Sequence, residues 1–253
     1  SPMSRGLGDV YKRQAYRSCA IALSDINAMG GRPLGYQVSL STKETNTSFY
    51  RDLAKGFKLF SKKYGIGLIG GDITRGQFQL SITIIGEPHK KAIKRSGARN
   101  GDYLCISGKL GEGKLARLAT KKSCTHKKST AAYLTPKIKL EYGYMLSKYA
   151  SSAIDISDGF LQDLQHLSEA SEIGFNLYKE TIPIAKGILF QDAVMCGDDY
   201  QILFTIPLSK ISAAQIEFRR RKMDLHIIGK AIPNKKLLLD NKEINNIKGY
   251  THF

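Results

Sequence analysis

Acidic residues are scarce in this chain: 22 Asp and Glu stand against 39 Lys and Arg over 253 residues, a formal net charge of +17. Such an imbalance brings polyanions, nucleic acid included, into consideration as partners. The distribution argues otherwise. The basic residues are spread along the whole length, and Lys, Ile and Asn are abundant together, as in a compositionally biased chain. The one dense cluster, Lys121 to Lys128, has no interleaved aromatics and reads as a solvated loop. Nucleic acid is therefore the weaker expectation. Long apolar runs are also missing. None approaches the roughly 18–20 residues of a membrane-spanning helix. Nothing near the start joins a basic stretch, an apolar stretch and a small-residue cleavage site. No membrane association is expected, and the expected compartment is the cytoplasm. The four cysteines, Cys19, Cys105, Cys124 and Cys196, never fall two or four residues apart, which excludes a zinc knuckle or a redox pair. Buried or incidental thiols in a reducing compartment are expected. There is no Ser–His–Asp pattern and no His-x-x-x-His. Gly108 to Lys114 is glycine-rich but lacks the spacing and the final Ser/Thr of a phosphate loop.

What is present is periodic. Residues 1–14 show neither helical nor strand periodicity; they look like translated adapter sequence and are expected to be a non-native leader, with the natural chain starting further upstream. From Ala15, the residues Tyr16, Cys19, Leu23 and Ile26 fall at helical spacing up to Gly30-Gly31. Leu34, Tyr36, Val38 and Leu40 alternate as a strand. Thr47 to Tyr64 carries Leu53, Phe57 and Phe60 on one helical face. A short strand, Gly67 to Ile69, leads into Gly70-Gly71-Asp72, and Phe78, Leu80, Ile82 and Ile84 alternate again. The order is α-β-α-β-β. A boundary is expected near Glu87-Pro88, giving an N-terminal α/β domain over 15–88 and a second over 89–253. The second is expected to hold a strand from Tyr103 to Ser107, then a helix from Gly111 to Thr120. A helix capped at Thr135-Pro136 should run to Tyr149. A strand ending at Asp155 precedes a helix whose stripe is Leu161, Leu164, Leu167 and Ala170. Strand Tyr200–Ile206, helix Ser209–Arg221 and strand Leu225–Ala231 follow.

The chemistry lies in scattered aspartates. Asp25, Asp72, Asp155, Asp158 and the Asp198-Asp199 pair each sit at an element end beside glycine or a small residue, where backbone approaches a ligand closely. Magnesium takes few protein oxygens and leaves the rest of its shell to water and phosphate. Single carboxylates on loops suit that demand, and cations are what bring two phosphate groups together. Arg95 and Arg75 offer direct phosphate contacts. Each residue has a structural alternative: a helix N-cap for Asp158, a turn for Asp72, a helix-end surface acid for Asp25, and solvated or packed surface positions for Arg95 and His166.

The stretches LSDINAMGG, GLIGGDITRG, RSGARNGD, AIDISDG, CGDDYQILFT and the terminal GYTHF, in that order, resemble the thiamine-monophosphate kinases, within the aminoimidazole-ribonucleotide-synthetase-like superfamily. The likeness covers nearly all of the chain from Ala15 onward. It implies an α/β (α+β), two-domain fold with the first domain incomplete. It also implies, for the complete protein, transfer of a phosphoryl group from ATP to thiamine monophosphate, dependence on Mg2+, and a homodimer formed through the first-domain sheets. By position, Asp25, Asp72, Asp155 and Asp158 match magnesium ligands. Gly71, Asp72, Arg95 and Ser157 match ATP contacts, and Asp198 matches a contact to the thiamine phosphate. No catalytic base is implied. The family's opening Gly-x-Gly-Asp-Asp and Ser/Thr-Asp segments are not present before Asp25. Ala22 stands where Asn is expected, Ala54 where Tyr is frequent, and Gln201 where Glu is usual. A synthetase of the same superfamily, or a basic RNA-binding or scaffold protein, are the alternatives.

Overall fold

A computed structural model of the chain describes residues 2–121 and 133–244. The first part follows the expected α-β-α-β-β order: α1 (Pro2–Ala28), β1 (Gly31–Ser41), α2 (Thr47–Tyr64), β2 (Gly67–Thr74) and β3 (Gln79–Pro88). The strands form a sheet of order β2-β1-β3, with β1 parallel to β2 and antiparallel to β3. Alternation sets the faces. Tyr36, Val38 and Leu40 of β1 and Leu80, Ile82 and Ile84 of β3 turn toward the helices. α2 starts at Asn46, whose side chain accepts the N–H of Ser48, and stops at Gly65 in the left-handed region. Its Phe49, Leu53 and Phe60 are buried, as the periodicity requires.

α1 is longer than the sequence pattern predicts. It begins at Pro2, and the non-periodic residues are part of the helix. The cause is tertiary: the Tyr11 ring meets Phe49 edge-on at 4.7 Å and Phe78 at 6.4 Å.

The second part is a seven-stranded sheet of order β10-β9-β6-β8-β4-β7-β5. Its strands are β4 (Tyr103–Ile106), β5 (Ser152–Asp155), β6 (Gly174–Leu177), β7 (Ile202–Ile206), β8 (His226–Ile232), β9 (Leu237–Leu239) and β10 (Lys242–Glu243). The helices are α3 (Glu112–Lys121), α4 (Glu141–Tyr149), α5 (Phe160–Ser171), α6 (Phe190–Met195) and α7 (Ile211–Arg220). α5 and α6 cover one face with Leu104, Ile106, Ile154 and Leu203; α4 and α7 cover the other with Cys105, Ala153, Ile202 and Phe204. The sheet is buried on both sides, so its central strands read as unbroken apolar runs. β6, β9, β10 and α6 were not anticipated; each is short and carries too little pattern.

Two expectations need correction. The helix expected from Thr135-Pro136 starts only at Glu141. The preceding segment runs irregularly because Ile138 is buried in the first part's core beside Tyr16 and Phe60, and its N–H bonds to the Tyr64 hydroxyl at 3.0 Å. Ala170 is exposed; Phe160, Leu161, Leu164 and Leu167 form the buried stripe of α5. The basic cluster from Lys122 onward and the terminal motif at 249–253 lie outside the described residues.

The two helices of the first part cross at Gly56, where a Cβ would come within 2.2 Å of the Lys12 carbonyl oxygen and 2.8 Å of the Ala15 Cβ. Alanine is the better helix former by roughly 1 kcal/mol, yet the contact is against backbone. Gly56→Ala is therefore expected to lower stability by about 1–3 kcal/mol in urea unfolding. Lys58→Ala, on the exposed face of the same helix, should change it by less than about 0.5 kcal/mol.

Candidate active site

α1 reaches from the first sheet onto the second. Asn27 at its end accepts the Gly143 N–H at 2.8 Å and donates to the Lys139 carbonyl at 3.1 Å. The sequence motif around Asn27 thus has a docking role that its residue types alone did not disclose. With this seam closed, α1 packs against β5, and Asp25 on α1 comes close enough to Asp155 at the end of β5 for the two carboxyls to act on each other. Burial raises the Asp155 carboxyl well above the usual carboxylate range, and the Asp25 charge raises it further. Burial raises Asp25 as well, while the neighbouring Asp155 carboxyl and the positive charge of Arg95 act the other way. Ser24 Oγ, 1% exposed, lies beside Asp155 and has no hydrogen bond of good geometry. Two neighbouring carboxyls and a buried hydroxyl thus form a small cluster of hard oxygen donors.

Asp158 follows at the strand-to-helix turn. The N-cap reading of this residue does not hold: the cap position is Gly159, and no side chain caps it. Asp163, one turn into α5, instead ties down the turn that precedes the helix. Its Oδ2 accepts the N–H groups of Ser157, Asp158 and Gly159 at 3.0, 3.2 and 3.2 Å. The Asp158 carboxylate is left for other partners. Residue types did not distinguish Asp163 from the others, since an acid in a first helical turn is common.

The loop 196–201 is stitched to this turn. Asp198 N–H donates to the Ser157 carbonyl at 2.9 Å, Tyr200 N–H to Ile156 at 2.9 Å, and Ile156 N–H to Gln201 at 2.8 Å. Gly197 is required here, because a Cβ would stand 2.0 Å from the Ser157 carbonyl oxygen. Asp198 presents its side chain to a cavity of about 500 Å³ shared with Tyr133, Tyr142 and Tyr200. Asp199 lines the same cavity and accepts the N–H groups of Gly111 and Gly113 at 2.7 and 2.8 Å. A carboxylate already fills the glycine loop that resembled a phosphate loop. Gln201 accepts the Ser107 hydroxyl at 2.9 Å.

Asp72 is placed elsewhere. It pairs with Ser39, toward the end of β1 remote from Gly31, whereas Asp25 lies near the junction of α1 and β1. Its neighbour Gly71 sits at φ 146 against Val38, where a Cβ would come within 2.0 Å of the carbonyl oxygen. Both line an apolar groove of about 650 Å³ between α2 and β2, together with Tyr50, Leu53 and Ala54. Arg95 and Arg75 are exposed, and His166 is half-exposed on α5, 3.8 Å from Asp163. Among the described residues no group of three or more His, Cys, Asp or Glu stands close enough to hold a metal ion. The chain therefore joins Asp25 to Asp155, sets Asp158 at the adjoining turn, and leaves Asp72 apart.

The fold and its acidic seam define a class. Residues 3–87 match the family AIR synthase related protein, N-terminal domain. The chain belongs to the thiamine-monophosphate kinase family: it is 32% identical over 257 residues to the thiamine-monophosphate kinase of Buchnera aphidicola subsp. Acyrthosiphon pisum, across 94% of this chain and 80% of that one. The crystal structure of the Stenotrophomonas maltophilia enzyme superposes with a TM-score of 0.84 at 27% identity, over 94% and 81% of the two chains. A structure of AaThiL complexed with AMPPCP and TMP gives 0.85 at 25% identity, over 96% and 81%.

Burial pushes Asp199 up to about 6 against the opposing pull of its two backbone hydrogen bonds. An acid raised in the folded state stabilises the fold fully below its unfolded value, near 4, and loses that contribution as pH rises through about 6. Asp199→Asn removes the titration and one hydrogen bond. It should be less stable than the parent by about 1 kcal/mol at pH 4.5, with the gap narrowing by pH 7.5 in thermal unfolding.

Proposed function

We propose that this chain transfers the γ-phosphoryl group of ATP to the phosphate of thiamine monophosphate, giving ADP and thiamine diphosphate, with magnesium bound at the Asp25–Asp155 pair and Asp158, on the adjoining turn, reaching it through water or phosphate. The observation that carries the reading is the Asp25–Asp155 pair. Two carboxyls pressed together under burial are costly unless a cation joins them. The oxygen-only donor set, with Ser24 beside it, fits a hard divalent ion. Magnesium bound there supplies charge neutralisation for the phosphates.

The remaining groups take roles that follow from their positions. Arg95, whose charge acts on Asp25, and Ser157 at the stitched turn are the nucleotide contacts nearest the pair. The groove beside Gly71 and Asp72 is apolar and suits a purine base; Ala54, where a larger side chain is frequent in the family, widens it. Asp72 serves the nucleotide from this side. Asp198 faces the acceptor. The acceptor needs no base, because a phosphate monoester with a second pKa near ~6 is already ionised at neutral pH. Positioning and neutralisation then set the rate.

We place the reaction in the cytoplasm and in a homodimer. No described helix is long and apolar enough to cross a membrane. The outer face of the first sheet exposes Leu34, Ile69 and Ile85, a patch suited to a second copy.

With thiamine monophosphate, ATP and magnesium, the chain should form thiamine diphosphate. Asp155→Asn should lower turnover at least about 100-fold and abolish magnesium-dependent nucleotide binding in calorimetry. Unchanged turnover in that variant would sink the metal assignment. Ile69→Lys should shift the chain from dimer to monomer in sedimentation.

A further inference from the structure

Arg17 lies on α1, eight residues before Asp25, so about 12 Å along the same rigid axis. It belongs to neither the acid pair nor the sequence motifs. Its side chain is 14% exposed and donates to Asp198 Oδ1 at 2.6 Å. The same oxygen accepts the Tyr200 hydroxyl at 2.8 Å. The guanidinium lies 3.9 Å from the Tyr133 ring centroid and 5.5 Å from that of Tyr200, and it also donates to the Tyr133 carbonyl. A planar, delocalised cation is the group that can stack and bond in this way at once; an ammonium is a point charge.

The loop it grips is under constraint. Asp198 and Tyr200 both have left-handed backbones, at φ 71 and 49, a conformation that persists only where surrounding contacts hold it. Two such contacts come from the turn at 156–157. The third comes from Arg17, on the helix that also carries Asp25. Asp198 Oδ1 is thereby occupied, and Oδ2 accepts no hydrogen bond from a described residue while the side chain lines the cavity with Tyr133, Tyr142 and Tyr200.

We propose that Arg17 is a positioning residue for the organic half of the acceptor. It aims Asp198 Oδ2 at the exocyclic amine of the aminopyrimidine and holds the Tyr133 and Tyr200 rings as the wall against which the flat heterocycle packs. α1 then acts as a spacer, with the acid pair at the phosphate end and this cage at the ring end. The inference rests on the proposed function, since it takes thiamine monophosphate as the acceptor.

The test is calorimetric titration of the full chain with thiamine monophosphate and, separately, with a magnesium–ATP analogue. Arg17→Ala should weaken acceptor binding at least about tenfold while nucleotide affinity stays within about twofold. Added guanidinium should restore part of the loss, which repair of a packing defect would not explain. Arg17→Lys keeps the charge but not the planar stack, so a smaller loss is expected; it also serves if the alanine variant does not fold. Acceptor binding unchanged in either folded variant overturns the role of Arg17. A parent chain that binds thiamine monophosphate but forms no diphosphate overturns the proposed reaction and leaves the role of Arg17 standing. A parent chain that binds none overturns both.

Discussion

The structure turns on one unfavourable contact: the carboxyls of Asp25 and Asp155 meet across the seam between the two sheets. Neither element would be placed this way for stability. Burial raises the proton affinity of both carboxyls and the Asp25 charge raises that of Asp155 further, which opposes the closed seam. The contacts around them supply the compensation. Asn27 clamps α4 through Gly143, Ile138 inserts into the core of the first part, and Tyr64 receives its backbone N–H. Residues held at such a cost are where chemistry is expected. A bound divalent ion would reverse the sign of the contact, turning the least stable point of the seam into one of its ties.

Around that pair the acids divide by task. Asp163 and Asp199 spend their oxygens on backbone N–H groups, at the turn 157–159 and at Gly111 and Gly113. They build loops. Because Asp163 holds its turn, Asp158 has no capping duty. Because Asp199 fills the glycine loop, no anion is needed there. Asp198, its immediate neighbour, lines the same cavity and gives its oxygen to the side chains of Arg17 and Tyr200. Adjacent aspartates with opposite assignments show that residue type and spacing do not carry the division; it comes from which backbone donors the fold brings within reach.

Much of the fold was readable in advance. The α-β-α-β-β order of the first part and the long elements of the second follow from helical spacing and strand alternation, which act over a few residues. The failures share a cause. α1 extends to Pro2 because Tyr11 finds Phe49 and Phe78. The segment before α4 stays irregular because Ile138 is needed elsewhere. Short β6, β9 and β10 gain their strand character from neighbours in the sheet. In each case a distant partner outweighs local preference.

The site divides in the same way. The sequence by itself determined that aspartates stand at element ends beside small residues, and that Gly71 and Gly197 precede them. Those are local facts, set by backbone geometry and readable over a few positions. Only the tertiary structure decided which of those acids share a site. Asp25 and Asp155 meet because α1 lies against β5, while Asp72 sits on a different sheet. Arg17 was invisible for the same reason. Its meaning comes from Asp198, Tyr133 and Tyr200, which are far along the chain and reach it only when the seam closes. Electrostatic and stacking interactions depend on distance in space, and distance along the sequence does not supply it.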